Sequence, residues 1–380
     1  MKIALLTTDN RQHDRHYEKT EPYFGTAPEA LLQGFAQLKD IEVHVVSCTR
    51  QPMKSPEKLA TNIYFHSLVV PKNGWMRTLY QGCIRATRRK LWEIKPDIVH
   101  GQGTEHDCAI SAVFSGFPNV LTIHGNMRLI AQVNHVKPFS FNWMAARLEG
   151  FTLPRTNGVV CITNYTKRAV SDLAKRTWLL PNAVDTNFFD IEARPEPGEA
   201  PVGMCVGQVC LRKNQNAFIR ALDPLAGRRK FKIIFLGQVE DDDYGREFKQ
   251  LVQERPWCEY AGFAGREALR KMFQTAGFAA LPTLEDNCPM VVLEAMAAGV
   301  PVMASNVGGV PDLIRPDVTG LFCDPTRPET FAAGLERLLA DEAWARTLAK
   351  AAKIEARERF HPLIVARGHI DIYRLVLSGK

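Results

Sequence analysis

The chain has 380 residues, 46% of them hydrophobic, with nine cysteines and a formal net charge of +7. That length makes about two domains, each able to bury a full core, which excludes a peptide hormone, a disordered tail and a disulfide-stapled miniprotein. The charge is unevenly placed, because residues 1–190 hold 23 Lys and Arg against 16 Asp and Glu while residues 191–380 hold 25 against 25.

Short apolar runs alternate with helical periodicity along the whole chain, the pattern of parallel sheets with crossover helices. The spacing predicts strands at 2–8, 42–48, 62–68, 97–100, 119–123, 158–162 and 177–181, with helices near 26–38, 75–94, 105–115, 140–151 and 164–174. Residues 182–201, ending in ARPEPGEAP with three prolines and no periodicity, read as a linker. A second series has strands at 202–207, 231–237, 257–261, 277–282, 300–304 and 319–323, with helices near 213–225, 244–254, 265–275, 289–298 and 327–340. Helices at 342–359 and 362–377 close the chain, divided at His361-Pro362 because proline cannot donate to the preceding turn. The fold class is therefore α/β. Two Rossmann-like doubly wound domains, 1–185 and 186–360, are expected to face each other across a cleft at the carboxyl ends of their sheets. The final segment 361–380 is a helix that is a candidate to cross back to the first domain.

The cysteines at 48, 83, 108, 161, 205, 210, 258, 288 and 323 form no C-x-x-C pair. Neither a disulfide framework nor a zinc module is indicated, and a reducing cytoplasm is the expected location. The opening MKIALL reads as strand, far short of a signal segment, and no apolar stretch approaches about 18 residues, so no membrane span is expected.

The most informative stretch is 281–314, LPTLEDNCPMVVLEAMAAGVPVMASNVGGVPDLI. A strand ends near Pro282, a polar loop carries Glu285, Asp286, Asn287 and Cys288, and a helix starts near Pro289 with Asn287 as a candidate cap. The amides of Met290 and Val291 would then head the helix, an arrangement that attracts phosphate. Glu294 lies one turn further on, where a ribose diol could give its carboxylate two hydrogen bonds.

This segment resembles the Glu, seven residues, Glu signature of retaining glycosyltransferases of the GT-B fold, glycosyl transferase family 4 (group 1). Glu294-Ala295-Met296-Ala297-Ala298-Gly299-Val300-Pro301-Val302 follows the family's helix, and Gly308-Gly309-Val310-Pro311-Asp312 and Thr319-Gly320-Leu321 follow in family order. The resemblance implies that Glu294 holds the nucleotide ribose, that Met290 and Val291 receive the diphosphate, and that the first acidic residue contacts the donor sugar. Eight positions before Glu294 stands Asp286, with Glu285 beside it, and the spacing favours Asp286. Charge that accumulates on the leaving diphosphate needs a cation. Lys213 occupies the family's Lys position, Gln208 stands where the family has Arg, and Arg212 is either a displaced substitute or a solvated neighbour. In the first half, the resemblance assigns His124, after strand 119–123, to a hydroxyl of the donor sugar and Gly25 to the glycine loop near the phosphates.

Other readings of the residues are weaker. Gly101-Gln102-Gly103-Thr104 lacks the third glycine of a dinucleotide fingerprint and follows an inner strand. His13, Asp14 and His16, or His100, His106 and Asp107, could be drawn as metal ligands, but no metal is expected, since in the resembling family Lys and helix ends do that work. The polar loop from Asp9 to Phe24 is long for a strand-to-helix connection, and with residues 100–107 it is expected to line the acceptor site through Asp9, His16, His100 and Glu105. The stretch 75–94 has a basic face of Arg77, Arg85, Arg88, Arg89 and Lys90, either an ordinary outer face or an attachment to an anionic membrane surface. The basic run itself lacks interleaved aromatic stacking positions and the chain shows no recognition module, so nucleic acid is not an expected partner.

The combined expectation is a retaining enzyme that moves a sugar from a nucleoside-diphosphate sugar to an acceptor hydroxyl, with no cofactor beyond that co-substrate. The alternatives are a non-catalytic nucleotide-sugar-binding scaffold and an epimerase or phosphorylase of the same fold.

Overall fold

The computed structural model describes residues 1–12, 15–133, 135–192 and 200–379. They form two compact units, residues 1–183 together with 362–380, and residues 184–361.

In the first unit the elements run β1 (Lys2–Leu6), α1 (Thr26–Ala36), β2 (Glu42–Thr49), β3 (Lys58–Ala60), β4 (Ile63–Val69), α2 (Gln81–Ile94), β5 (Ile98–Gln102), α3 (Asp107–Val113), β6 (Asn119–Ile123), α4 (Met127–Val133), α5 (Phe141–Thr152), β7 (Gly158–Cys161), α6 (Asn164–Val170) and β8 (Thr177–Leu179). The sheet order is β3-β4-β2-β1-β5-β6-β7-β8, parallel except for the β3–β4 edge pair. Ile3, Ala4, Leu5 and Leu6 are all buried, as they must be in a strand covered on both faces. The order reverses between β1 and β5, so the loops that follow these two strands leave the sheet side by side.

The C-terminal helix Pro362–Leu377 belongs to this unit and packs along α1, burying Val365, Ala366, Ile370 and Tyr373 against Leu31 and Phe35. Gly34 permits the approach, because a Cβ there would sit 2.1 Å from the Pro362 carbonyl oxygen and 2.8 Å from the Ala366 methyl.

The second unit runs α7 (Thr186–Phe189), β9 (Val202–Val206), α8 (Gln215–Ala226), β10 (Lys232–Leu236), α9 (Asp243–Gln253), β11 (Cys258–Gly262), α10 (Arg266–Thr275), β12 (Phe278–Leu281), α11 (Met290–Ala298), β13 (Val302–Ser305), β14 (Leu321–Cys323), α12 (Glu329–Ala340) and α13 (Glu342–Arg359). Its sheet is wholly parallel in the order β11-β10-β9-β12-β13-β14. Here the order reverses between β9 and β12, which brings the loops after Val206 and Leu281 together.

Three sequence readings need correction. The helix expected over 75–94 starts only at Gln81, because Leu79 and Tyr80 take left-handed backbone with φ of 51° and 58° and Met76–Thr78 forms a separate short turn. Arg77 is therefore off the basic helix. The segment read as a linker is structured over its first part: Asp185 caps α7 by accepting from the Asn187 amide, and Phe188 and Phe189 are buried. Residues 193–199 of that segment lie outside the described residues. The helix α4 and the edge strand β3 were not foreseen, both being too short for their periodicity to stand out.

Gly34→Leu is expected to overpack the contact between α1 and the C-terminal helix and to destabilise the protein by about 1–3 kcal/mol. Chemical denaturation checks this, and an unchanged midpoint would show that the helix is held elsewhere.

Candidate active site

The site in the second unit grows from its switch point. Thr283, fully buried just after β12, donates its hydroxyl to the carbonyls of Arg212 (3.1 Å) and Glu285 (2.7 Å), and the Leu284 amide donates to Arg212 O at 2.8 Å. The loops after β9 and β12 are thereby strapped together. Two cations of the first loop then meet two carboxylates of the second. Lys213 Nζ pairs with Asp286 Oδ2, both side chains 14% exposed, while Arg212 Nη1 donates to the Glu285 carbonyl at 2.9 Å and lies 3.5 Å from its carboxylate.

Gly308 holds the acidic loop from below. Its φ is +58°, and a Cβ there would lie 2.0 Å from the Asp286 carbonyl oxygen, which accepts from the Gly309 amide at 2.9 Å. The glycine pair noted only as a motif thus sets the height of Asp286.

The helix α11 starts at Met290 with Pro289 as its cap residue and no side-chain cap bond. Asn287 is two residues too early to cap, which corrects that expectation, and the Met290 and Val291 amides head the helix among those with no partner inside it. Glu294 is 3% exposed, and its Oε1 accepts from Arg266 Nη1 at 2.8 Å. Burial pushes its carboxyl above the usual range, and the Arg266 charge opposes that rise. Gln208 is exposed and donates to Glu240 Oε1 at 2.9 Å, so it points its amide at a carboxylate where the family's Arg was sought.

In the first unit, a polar chain runs along the carboxyl edge of β5 and β6. His124 Nε2–H donates to Gln102 Oε1 at 2.7 Å, since an amide oxygen only accepts, and the Gln102 amide lies 3.1 Å from His100 Nε2. His100 is fully buried, bonded to Tyr373 Oη at 2.6 Å and Thr122 Oγ1 at 2.7 Å. The His369 ring packs 5.0 Å from the His100 ring. A small cavity beside this chain is lined by Gln102, Thr122, His124, Asn182 and His369 among apolar residues. Burial is the main cause that pushes His124 down to about 4, His369 to about 3 and His100 well below the usual range, so all three rings are neutral at pH 7. Glu105 Oε1 accepts from the Gly125 amide at 3.0 Å, fixing the turn after His124. Glu149, fully buried, takes the amides of Met127 and Arg128 and so anchors the start of α4.

Two family descriptions match successive parts of the chain, Glycosyl transferases group 1 over residues 187–358 and Glycosyltransferase Family 4 over residues 28–188. Together these two glycosyl transferase descriptions span residues 28–358 of the chain. Sulfoquinovosyl transferase SQD2 of Arabidopsis thaliana is 28% identical over 71% of this chain, and the chain spans about half, 55%, of that relative's length. Sucrose-phosphate synthase from Thermosynechococcus elongatus superposes with a TM-score of 0.78 at 20% identity, each chain covered in full. HepE of Anabaena, solved in complex with UDP and glucose, gives 0.74 at 16% identity, again over both whole chains. The two parallel-sheet α/β units of this chain are those of the GT-B fold.

The residues predicted from the sequence fall into two groups. Lys213, Asp286, Arg212, Glu285, Met290, Val291 and Glu294 gather at the β9/β12 switch, with Asn287 half-buried and Cys288 buried in the same loop. Of the acceptor set, Asp9 and His100 are corrected. Asp9 is 1% exposed and its carboxylate is taken by the Arg11 guanidinium (2.6 and 3.0 Å), and both ring nitrogens of His100 are bound within the core. Arg11, itself buried, also donates to the carbonyls of Lys19, Thr20 and Lys54, which makes the loop after β1 a cross-linked unit. His16 is exposed on that loop, 3.4 Å from Glu18, and Gly25 precedes α1 with a φ of +89° that suits only glycine. His13 and Asp14 lie outside the described residues. Among those described, the ligand-type cluster that comes together is Cys48, Cys83 and Asp107, all buried, rather than either set drawn from the sequence.

Sequence reasoning missed Arg266, Gln102, Glu149 and the C-terminal pair His369 and Tyr373. Gln102 stands only in the incomplete Gly101-Gln102-Gly103-Thr104 fingerprint and the others in no motif, and each acquires its role through contacts made by the folded chain.

The neutral histidines predict an acid-side loss of stability. Their folded pKa values lie below the unfolded value of about 6.5, so the unfolded chain binds more protons as pH falls through 6.5, and the loss levels off only near the folded values. Thermal unfolding is expected to drop between about pH 6.5 and 4, with a shallower slope in His369→Phe. An equal slope in that variant would show that carboxylates alone drive the loss.

Proposed function

We propose that the chain transfers a sugar from a nucleoside-diphosphate sugar to an acceptor hydroxyl with retention of anomeric configuration. The observation that carries this reading is the strapped pair of loops at the β9/β12 switch, where Lys213 and Asp286 meet beside the start of α11 with Glu294 one turn inside. The diphosphate is assigned to the Met290 and Val291 amides and the Lys213 ammonium, the ribose diol to Glu294, and a donor-sugar hydroxyl to Asp286. His124, neutral at pH 7, is suited to exchange a hydrogen bond with a sugar hydroxyl rather than to carry a proton away.

In the reaction so assigned, the bond from the anomeric carbon to the phosphate oxygen breaks and the acceptor oxygen bonds on the same face. The acceptor proton passes to the departing phosphate oxygen. Lys213 offsets the charge that grows there, and the chain supplies position and electrostatics instead of a covalent nucleophile.

A second reading, a nucleotide-sugar-binding scaffold without turnover, is favoured by one observation. Gln208, in the family's Arg position, brings no charge and is engaged with Glu240. A panel of uridine and guanosine diphosphate sugars, with released nucleotide as the readout, separates the two. Consumption of at least one donor is expected. Lys213→Met should lower turnover by about 100- to 1,000-fold, and Glu294→Ala should raise the donor KM. Donor binding without consumption under any acceptor would support the scaffold.

The acceptor side is assigned to the first unit, which carries 26 Lys and Arg against 15 Asp and Glu once the C-terminal helix is counted with it. On α2, Arg85, Arg88 and Arg89 are exposed beside Trp92, which is 57% exposed, a combination suited to an anionic lipid surface. No described helix is long and apolar enough to cross a membrane. Flotation with vesicles rich in anionic lipid should therefore recover the protein at low salt, and replacing the three arginines by Glu should abolish recovery. Equal recovery on neutral vesicles would remove the electrostatic explanation.

A further inference from the structure

Glu294 does not sit alone at the head of α11. Arg266, the first residue of α10, reaches it with Nη1 at 2.8 Å from Oε1, and the same guanidinium lies 3.6 Å from Asp185 Oδ2 and stacks 5.1 Å from the centroid of the Phe188 ring. Asp185 and Phe188 are the cap and a buried member of α7, the helix hidden in the segment that the sequence presents as a linker. Three elements far apart in sequence thus hold one guanidinium in one place. A bound arginine leaves a carboxylate with further lone pairs, enough for a diol.

We propose that Arg266 is a positioning residue for the donor nucleotide: clamped by Asp185 and Phe188, it keeps Glu294 as a carboxylate and oriented to accept the ribose hydroxyls. The inference rests on the ribose assignment made above. Its physical basis is the cost of an ionised carboxyl that is 3% exposed. Burial raises the Glu294 pKa and Arg266 is the main group opposing it, with Asp185 acting in the other direction. Of the other elements packed on α11, β12 and β13 present buried side chains that are apolar except for the neutral Ser305, and Lys353 of α13 lies against Gly299 at the far end and donates to the Ile191 carbonyl. Arg266 is the cation facing Glu294 among the described residues. A carboxyl stripped of that cation would be left with burial and Asp185 both favouring its protonated form, and a protonated Glu offers a ribose diol one acceptor fewer.

The test is the pH dependence of donor affinity, measured by calorimetry with UDP-glucose and GDP-mannose, whose diphosphates do not titrate near neutrality. The wild-type profile is expected to be flat between about pH 6 and 8. Arg266→Met should bind about tenfold more weakly at the acid end and recover as pH rises and Glu294 ionises. Arg266→Lys, which retains the charge, should stay flat, and it keeps the test decisive if the Met variant fails to fold. A loss of equal size at every pH, no loss in Arg266→Met, or a bent profile in Arg266→Lys would overturn the proposal. Glu294→Gln separates the two layers of inference. It should bind weakly without pH dependence, whereas unchanged affinity in that variant, or no binding of either probe by the wild type, would overturn the ribose assignment and this proposal with it.

Discussion

The second unit depends on a matching of cations to carboxylates at one sheet edge. Glu285 and Asp286 stand on one loop and Glu294 on the helix it leads into, and a carboxylate taken partly out of water costs free energy unless a cation pairs with it. Arg212, Lys213 and Arg266 answer them one for one. Each cation comes from a segment other than the acidic one, two from the loop after β9 and one from the start of α10. The consequence for function is that the charges a diphosphate would meet are already present and already oriented, so binding exchanges partners instead of assembling them.

Net charge cannot do this work. With the C-terminal helix counted in the first unit, the second holds 22 Lys and Arg against 26 Asp and Glu, so the unit assigned to an anionic donor is itself acidic. Attraction there must be local, from Lys213 and from amides at a helix start. The basic excess belongs to the other unit, where α2 presents it to solvent and the loop after β1 uses Arg11 internally.

In the first unit the comparable constraint is packing. His100, His369 and Tyr373 form a buried aromatic group that joins the carboxyl edge of β5 to a helix more than 250 residues later in the chain. Gly34 makes the joint possible by leaving no side chain between α1 and Pro362. Because Gln102 links this group to His124, the orientation of a ring assigned to substrate depends on the last helix of the protein.

Both strand series, the alternation with helices and the α11 motif are legible in the residues because they are local. Period-two and period-3.6 burial acts on neighbours in the chain, and a helix start with its glutamate one turn in is a matter of spacing. The short elements escaped for the same reason, since α7 and α4 have too few turns to show a period, and positive φ at Leu79 and Tyr80 broke a helix whose pattern ran on. The sequence by itself determined the α/β class, the two sheets and the residues of the acidic loop. Only the tertiary structure decided that Lys213 meets Asp286, that Arg266 serves Glu294, that Gly308 carries the loop, and that Asp9 and His100 are spent on internal contacts. Apart from Asp9 with its neighbour Arg11, those pairings join residues separated by tens to hundreds of positions, and strand order, which no local pattern encodes, selects them.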